Sequence, residues 1–170
     1  SAAPAATYRL RRTAAGASNC LAAERECAGL RVTADLSSTP DRRTVAELDV
    51  DVVIVGAGFA GIGMATGLAR RGRESFVVLE RADAVGGTWR DNTYPGCACD
   101  VPSLMYSYSF ESRGSWSKVW SSQPEIERYL QDVADKRGVT QKIHFGQKLV
   151  SGYWSDSESR WHLRTESGRE

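Results

Sequence analysis

The sequence lacks the features of membrane and nucleic-acid-binding proteins. Its uninterrupted apolar runs are no longer than a strand, as in residues 52–55, whereas a helix that spans a bilayer needs about 20 apolar residues. The 22 basic and 21 acidic side chains leave a formal charge of +1, which provides no bulk attraction to nucleic acid or to an anionic membrane. We therefore expect no membrane span and no nucleic-acid partner.

Residues that bind metals are also scarce. The chain has four cysteines and two histidines: Cys20, Cys27, Cys97, Cys99, His144 and His162. Cys97 and Cys99 are too close in sequence for an ordinary disulfide, and the histidines lack the spacing that a zinc site needs. We expect no bound metal and free thiols, which are typical of the reducing cytoplasm.

Residues 1–49 differ from the rest of the chain. They are rich in Ala, Arg, Ser and Thr, show no strand or helix period, and contain no acid before residue 24. This composition is faintly similar to that of an organelle transit peptide, although we favour a disordered leader or an upstream extension. Order is predicted to begin at Asp49, and residues 50–170 are predicted to belong to one domain.

A β-α-β unit is predicted at the start of this domain. Val50–Val55 is an apolar, β-branched run of the kind that is buried on both faces of a parallel sheet. A glycine turn at residues 56–61 leads into a helix over residues 59–71, which Gly72 ends. A second strand follows over residues 75–80, so the fold class is α/β, with parallel strands joined by a right-handed crossover.

A long loop, one helix and a β-hairpin are predicted for the remainder. The irregular stretch 81–121 is rich in Gly, Pro, Ser and aromatic residues, and a loop of this length is usually functional. A helix is predicted over residues 124–137, with Ser122 and Glu125 as a capping box. Three short strands are predicted at residues 143–145, 149–154 and 161–165, of which the last two pair as a hairpin.

The glycine turn carries the first functional signal. The segment Gly56-Ala57-Gly58-Phe59-Ala60-Gly61 fits the G-x-G-x-x-G pattern, between a predicted strand and a predicted helix. In that context Gly56 permits the tight turn, Gly58 lets a pyrophosphate approach the backbone, and Gly61 lets the helix pack against the strand. Amides at the helix start and the helix dipole stabilise phosphate charge, so the pattern predicts a dinucleotide site.

An acidic residue at the end of the second strand refines this prediction. Glu80 lies 19 residues after Gly61, where its carboxylate can accept the ribose hydroxyls and repel a 2′-phosphate. Arg81 has the opposite tendency, because a nearby arginine can accommodate a 2′-phosphate. We give Glu80 more weight because it occupies the strand end, which favours FAD or NAD over NADP. The glycine loop alone does not distinguish FAD from NAD.

The segment that follows is more specific. Residues 80–89 resemble the E-R-x-x-x-x-G-G-T-W pattern of flavin-containing monooxygenases, and residues 94–103 and 106–110 look like the corresponding stretches of type I Baeyer–Villiger monooxygenases. The resemblance covers roughly residues 50–165. It implies that the domain is an incomplete Rossmann-type FAD-binding domain, with a parallel sheet, a long loop and a short hairpin, from the N-terminal part of such an enzyme.

The resemblance also implies a function and a set of site residues. Family members use FAD, NADPH and O2 to insert oxygen into a ketone or to oxygenate a heteroatom compound. The implied cofactor-binding residues are Gly56, Gly58, Phe59, Gly61, Glu80, Arg81, Gly87, Thr88, Trp89, Cys99, Asp100 and Tyr106. Asp100 is the implied catalytic residue near the flavin ring, and Cys99 and Asp100 belong to a stretch that touches NADP in the family. Most of the other tryptophans are expected to pack in the core.

Parts of the family pattern are missing from the sequence. It has no second G-x-G-x-x-G for NADPH, no F-x-G-x-x-x-H-x-x-x-W fingerprint and no final strand region of the FAD domain. We therefore expect a fragment that binds FAD weakly or not at all and turns over no NADPH by itself. Two alternatives stay open: another FAD oxidoreductase with two dinucleotide domains, such as an N-hydroxylase or a reductase, and a non-catalytic nucleotide-binding remnant. Residues 94–110 argue against the oxidoreductase alternative.

Overall fold

The computed structural model describes residues 6–10 and 46–167, which form two β-sheets and the helices packed on them. One sheet has three strands in the order β3-β4-β5, and the other has four in the order β2-β1-β7-β6. The strands are β1 Ala6–Leu10, β2 Ala46–Val50, β3 Val52–Val55, β4 Phe76–Leu79, β5 Ile143–His144, β6 Gln147–Ser155 and β7 Arg160–Ser167. The helices are α1 Phe59–Ala69, α2 Thr88–Asp91 and α3 Gln123–Lys136, with a 3-10 turn at Thr140–Lys142.

The three-stranded sheet contains the predicted β-α-β unit. β3 and β4 are parallel neighbours, with Val52 opposite Phe76 and Val55 opposite Leu79, and α1 connects them. All four residues of β4 are buried, as expected of a central strand in a parallel sheet. The helix is two residues shorter than predicted, with Arg70 as its C-cap residue. Gly72, the predicted stop, follows with a positive φ of +69°. The α/β, Rossmann-type fold class is confirmed.

The predicted strand over residues 50–55 is divided between the two sheets. Val50 ends β2, whereas Val52 begins β3. The amide of Asp51 between them donates to the backbone oxygen of Ser75 at 3.0 Å and to its side-chain oxygen at 3.1 Å. The predicted strand therefore breaks at Asp51, the charged residue within residues 50–55, where the chain passes from one sheet to the other.

The four-stranded sheet takes in part of the predicted leader. β1 pairs parallel with β2 and antiparallel with β7, so that Tyr8 lies opposite both Leu48 and Leu163. Tyr8 is buried, and its hydroxyl lies 2.8 Å from His144 Nδ1. The expectation that order begins at Asp49 thus differs from the structure for residues 6–10 and 46–48. The other residues of the leader, with Cys20 and Cys27, lie outside the described part of the chain, and the domain division at residue 50 stays a prediction.

Helix α3 lies within one residue of its predicted range at each end, but its capping differs from the prediction. Ser122 is the N-cap residue and its side chain makes no capping hydrogen bond. The carboxylate of Glu125 instead accepts hydrogen bonds from the Ser117 amide at 2.9 Å and the Ser117 hydroxyl at 2.7 Å. The predicted capping box is therefore wrong, because the long loop folds back over the helix start and supplies a better donor pair.

The C-terminal hairpin matches its prediction. β6 and β7 are antiparallel around residues 156–159, with Trp154 opposite Trp161 and a register shift between Leu149 and Ser151. Among the described residues, no helix is long and apolar enough to cross a membrane.

Candidate functional site

The glycine turn brings the start of α1 directly against the end of β3. Gly56 has φ of +92°, and its amide donates to the backbone oxygen of Leu79 at 2.7 Å. A Cβ atom on Gly61 would lie 1.8 Å from the backbone oxygen of Gly56, so no other residue fits there without movement of the main chain. The structure thus explains two of the three glycines by backbone conformation and close approach.

A cleft of about 430 Å³ opens beside this turn, within the size range of small-molecule sites. It lies between the glycine loop, the end of β4, the segment 87–91 and the start of β6. Its lining residues are Val55, Gly56, Gly58, Leu79, Glu80, Arg81, Gly87, Thr88, Arg90, Asp91, Gln147, Lys148 and Leu149. Six predicted cofactor-binding residues are therefore brought together: Gly56, Gly58, Glu80, Arg81, Gly87 and Thr88.

Gly58 is the glycine that leaves the cleft open. It is the N-cap residue of α1, with φ of −89° and ψ of −165°, which any residue adopts. A Cβ atom on Gly58 would make only an ordinary contact, 3.7 Å from Gly87 Cα. Packing therefore does not require glycine at this position. The amides in the first turn of α1 lack partners within the helix and, with the helix dipole, favour an anion in the cleft.

Glu80 is a buried carboxylate on the cleft wall. The residue is 4% exposed, although it lines the cleft. Its Oε2 accepts a hydrogen bond from the Ala57 amide at 2.7 Å, and its Oε1 accepts one from the Ala82 amide at 2.9 Å. Each carboxylate oxygen has two lone pairs, so one acceptor position remains on each oxygen for a ligand. Two neighbouring hydroxyls, as on a ribose, match this pair of acceptors.

Arg90 is a residue of the site that sequence reasoning missed. Its guanidinium lies 3.6 Å from Glu80 Oε1, donates to Asp91 Oδ1 at 2.7 Å, and also donates to the backbone oxygen of Ala84. Burial opposes the charge of Arg90, but Asp91 and Glu80 outweigh it and raise the arginine pKa. The hydrogen bond from Arg90 in turn lowers the pKa of Asp91. The position of Arg90 directly after the Gly-Gly-Thr-Trp pattern is the signal that could have identified it.

The Gly86-Gly87 pair brings the segment that follows β4 against the glycine turn of residues 56–61. The Gly86 amide donates to the backbone oxygen of Ala57 at 3.0 Å. A Cβ atom on Gly87 would lie 3.1 Å from Gly58 Cα, tighter than most real contacts. The spacing between Glu80 and the glycine pair therefore allows segment 81–86 to return onto the glycine loop.

Phe59, Trp89 and Tyr106 form an aromatic cluster and do not line the cleft among the described residues. Trp89 Nε1 donates to the Tyr106 hydroxyl at 3.0 Å, and the Phe59 and Tyr106 rings meet edge to face, with centroids 4.7 Å apart. Tyr108, which was not predicted, donates from its hydroxyl to the backbone oxygen of Phe59 at 2.5 Å. Burial raises the pKa of the Tyr108 phenol, so this tyrosine stays a neutral hydrogen-bond donor.

Cys99 and Asp100 lie on a different part of the long loop and are not among the residues that line the cleft. Cys99 is buried, and its amide donates to the backbone oxygen of Ser121 at 2.9 Å. The Ser103 hydroxyl donates to the Ser121 hydroxyl at 2.7 Å, which fixes the two sides of the loop together. Asp100 is exposed at the loop surface. The structure thus positions the backbone next to Asp100, but it does not bring Asp100 into the cleft.

The remaining tryptophans correct one expectation. Trp116 is partly buried against the core, but Trp120, Trp154 and Trp161 are exposed. Trp154 and Trp161 face each other across the hairpin with ring centroids 6.0 Å apart, so their partner is each other rather than the core.

Comparisons with known proteins agree with this architecture. A family model described as an NAD(P)-binding Rossmann-like domain matches residues 54–133. A Baeyer-Villiger monooxygenase of Streptomyces coelicolor is 47% identical over 119 residues, which are 70% of this chain and 23% of that protein. An FAD-binding monooxygenase of Aspergillus niger is 44% identical over 114 residues, 66% of this chain and 19% of that protein.

A solved structure gives the same result. An oxidized steroid monooxygenase bound to NADP superposes with a TM-score of 0.66 at 39% identity, covering 71% of this chain and 24% of that one. The chain thus spans about a quarter or less of the length of the proteins that it matches. Over the matched residues the chain is a homologue of the Baeyer–Villiger monooxygenases, and residues 54–133, which include most of the cleft lining, match an NAD(P)-binding Rossmann-like domain.

Proposed function

We propose that this chain is the FAD-binding part of an NADPH- and O2-dependent flavoprotein monooxygenase, which inserts oxygen into a ketone. The observation that carries the proposal is the buried Glu80 carboxylate, each of whose oxygens accepts one amide hydrogen bond, in the same cleft as the glycine loop. Relatives named Baeyer-Villiger monooxygenase and FAD-binding monooxygenase support FAD as the cofactor and oxygenation as the reaction.

The residues of the cleft fit the ADP half of FAD. Glu80 would accept the two ribose hydroxyls, and the first turn of α1 would bind the pyrophosphate over Gly58, whose missing side chain leaves room for it. Gly87 and Thr88 also line the cleft. When bound, the flavin supplies the redox and oxygen chemistry, and the protein supplies binding, orientation and exclusion of water.

The charges of the cleft favour FAD over a 2′-phosphorylated nucleotide. Glu80 is buried beside the ribose position, where a 2′-phosphate would be repelled. Arg81 could offset this repulsion, but its side chain is 68% exposed and its guanidinium faces Asp91 at 3.4 Å. NADPH would therefore bind at a separate site, as in an enzyme with two dinucleotide domains.

The aromatic cluster and the long loop would serve the flavin end. Phe59, Trp89 and Tyr106 adjoin the start of α1, where they would support the cofactor from behind the cleft. Asp100 would act near the flavin ring as the catalytic carboxylate, and Cys99 would lie beside NADP. Because Asp100 is exposed here, this role requires the rest of the enzyme to cover the loop. We further propose that the substrate is a ketone or a heteroatom compound, that the protein is cytoplasmic, and that it has no nucleic-acid partner.

The first experiment measures FAD binding by the protein at its natural length. The Gly58→Ala variant should fold normally, because its methyl group meets only Gly87 Cα at 3.7 Å. It should raise the Kd for FAD at least about tenfold, because the methyl group occupies the approach of the pyrophosphate. Gly67→Ala, in the same helix and away from the cleft, should leave the Kd unchanged. Equal FAD affinity for wild type and Gly58→Ala would refute the proposed site.

The second experiment tests the reaction. NADPH oxidation by the same protein should accelerate when a cyclic ketone is added, and Asp100→Ala should suppress that acceleration. Acceleration by amines but by neither ketones nor sulfides would favour an N-hydroxylase of the same cofactor class, and NADPH oxidation that none of these compounds accelerates would favour a reductase. FAD binding without any NADPH oxidation would favour a non-catalytic nucleotide-binding protein.

A further inference from the structure

We infer that Arg90 is a positioning residue that orients the Glu80 carboxylate for the ribose of the bound nucleotide. This inference rests on the proposed function, and it adds a residue that selects the ribose hydroxyls. In this role Arg90 acts through Glu80.

The first argument is the set of bonds that Arg90 makes. Its Nε donates to Asp91 Oδ1 at 3.1 Å and its terminal nitrogens donate to Asp91 Oδ1 and to the backbone oxygen of Ala84. The contact to Glu80 Oε1 at 3.6 Å is an ion pair beyond hydrogen-bond length. The guanidinium thus has acceptors on both sides, which hold it beside the Glu80 carboxylate.

The second argument is burial. The Arg90 and Glu80 side chains are 16% and 5% exposed, so this ion pair is largely shielded from water. A buried carboxylate without an opposite charge is strongly unfavourable, and two amide hydrogen bonds do not carry a full compensating charge. Without Arg90, rotation of the Glu80 side chain towards solvent would lower the free energy of its carboxylate. The two carboxylate oxygens would then leave the cleft wall.

The third argument is the attachment of Arg90 to the nucleotide-binding loops. A Cβ atom on Gly86 would lie 2.9 Å from Arg90 Cβ, so the glycine at 86 makes room for the arginine. The Gly86 amide is bonded to Ala57, whose own amide is bonded to Glu80. Arg90, Glu80 and the glycine loop therefore form one closed set of contacts, in which moving the arginine moves the carboxylate.

The other cations of the cleft lack these properties. The Arg81 side chain is 68% exposed, and its guanidinium pairs with Asp91 at 3.4 Å. Lys148 is half exposed and pairs with Glu166 at 3.7 Å. Both add positive charge near a bound nucleotide, but neither contacts the Glu80 carboxylate. Arg81→Met is therefore the matched control, since it removes the same charge from the same cleft.

The experiment compares ADP with 2′-deoxy-ADP by isothermal titration calorimetry of the protein at its natural length. In the wild type, loss of the 2′-hydroxyl should weaken binding about tenfold or more, because a hydrogen bond to a charged acceptor is lost. We call this ratio, the Kd for 2′-deoxy-ADP divided by the Kd for ADP, the deoxy penalty. In Arg90→Met, this deoxy penalty should fall below about threefold, because Glu80 no longer faces the sugar. In Arg81→Met, both nucleotides should weaken together, and the penalty should stay at the wild-type value.

The outcomes separate the inference from the proposed function. A wild type that binds no ADP, or shows no deoxy penalty, contradicts the ADP site itself and with it the role of Arg90. A wild type with the penalty and an Arg90→Met variant that keeps it in full overturns the positioning role alone. Should Arg90→Met fail to fold by circular dichroism, Arg90→Gln takes its place. Glutamine keeps polar donors but removes the charge opposite Glu80, so the penalty should again fall, and an undiminished penalty overturns the inference.

Discussion

Replacing Gly61 with alanine tests the close approach on which the glycine turn is built. The new Cβ atom would lie 1.8 Å from the Gly56 oxygen and 3.0 Å from the Gly56 carbonyl carbon. Real Cβ atoms essentially never come closer than 3.0 Å to another heavy atom, so the helix start and the turn must separate by about 1.2 Å. Both partners are main chain and neither can rotate away.

The expected loss of stability follows from two opposing effects. Overpacking costs about 1–3 kcal/mol, and a main-chain clash belongs at the upper end. Alanine is preferred to glycine within a helix by roughly 0.8–1.0 kcal/mol. The net destabilisation of Gly61→Ala should be about 2 kcal/mol, or about 30-fold in the ratio of folded to unfolded protein.

Equilibrium urea unfolding, followed by tryptophan fluorescence, measures this difference. The control is Gly67→Ala, whose Cβ atom would meet only the Arg71 side chain at 3.5 Å. This control should be stabilised by up to about 1 kcal/mol, since alanine is the better helix former. If Gly61→Ala were as stable as Gly67→Ala, helix α1 would not lie against the turn as described.

Two further predictions concern pH. His144 lies next to Tyr8, and burial lowers the pKa of its imidazole. Because the folded protein favours the neutral imidazole, the contribution of His144 to stability is present above about pH 6.5 and is lost in more acidic solution. The stability difference between wild type and His144→Gln should therefore narrow as the pH falls from about 7 to about 5 in thermal unfolding, and a constant difference would contradict this. A hydrogen bond from Lys136 lowers the pKa of Glu111, whose contribution is present above about pH 4.3 and lost below it. Glu111→Gln should be less stable than wild type by about 0.5–1 kcal/mol at neutral pH, and this difference should shrink as the pH falls below about 4.3; a difference that does not shrink with acid would be inconsistent with the ion pair.

The parts of the fold that the sequence predicts are those that short stretches determine. The strand-turn-helix-strand order is encoded by an apolar run, three glycines and an acid within 31 consecutive residues, 50–80. The hairpin is encoded in the same way by two alternating runs and a polar turn. In each case the residues that decide the structure are close in sequence, so periodicity and turn chemistry are sufficient.

The parts that were missed depend on how the loops and the leader fold back onto the rest of the chain, which local patterns do not encode. Tyr8 and His144 are 136 positions apart, and no local pattern in the leader indicates their pairing. Glu125 fits a capping box locally, yet Ser117 in the folded loop is the partner that it contacts. Arg90 reads as an ordinary charged residue until the loop after β4 returns to the glycine turn. Tertiary contacts override local preference at all three positions.

The central claim is that the cleft binds the adenosine diphosphate half of a flavin dinucleotide. Competition binding tests it most directly: the protein at its natural length is titrated with FAD, and the bound flavin is then challenged with ADP or with FMN. We predict that ADP displaces FAD and that FMN, which lacks the adenosine, does not. Displacement by FMN but not by ADP would contradict the account, because recognition would then lie at the flavin ring rather than at Glu80 and the glycine loop.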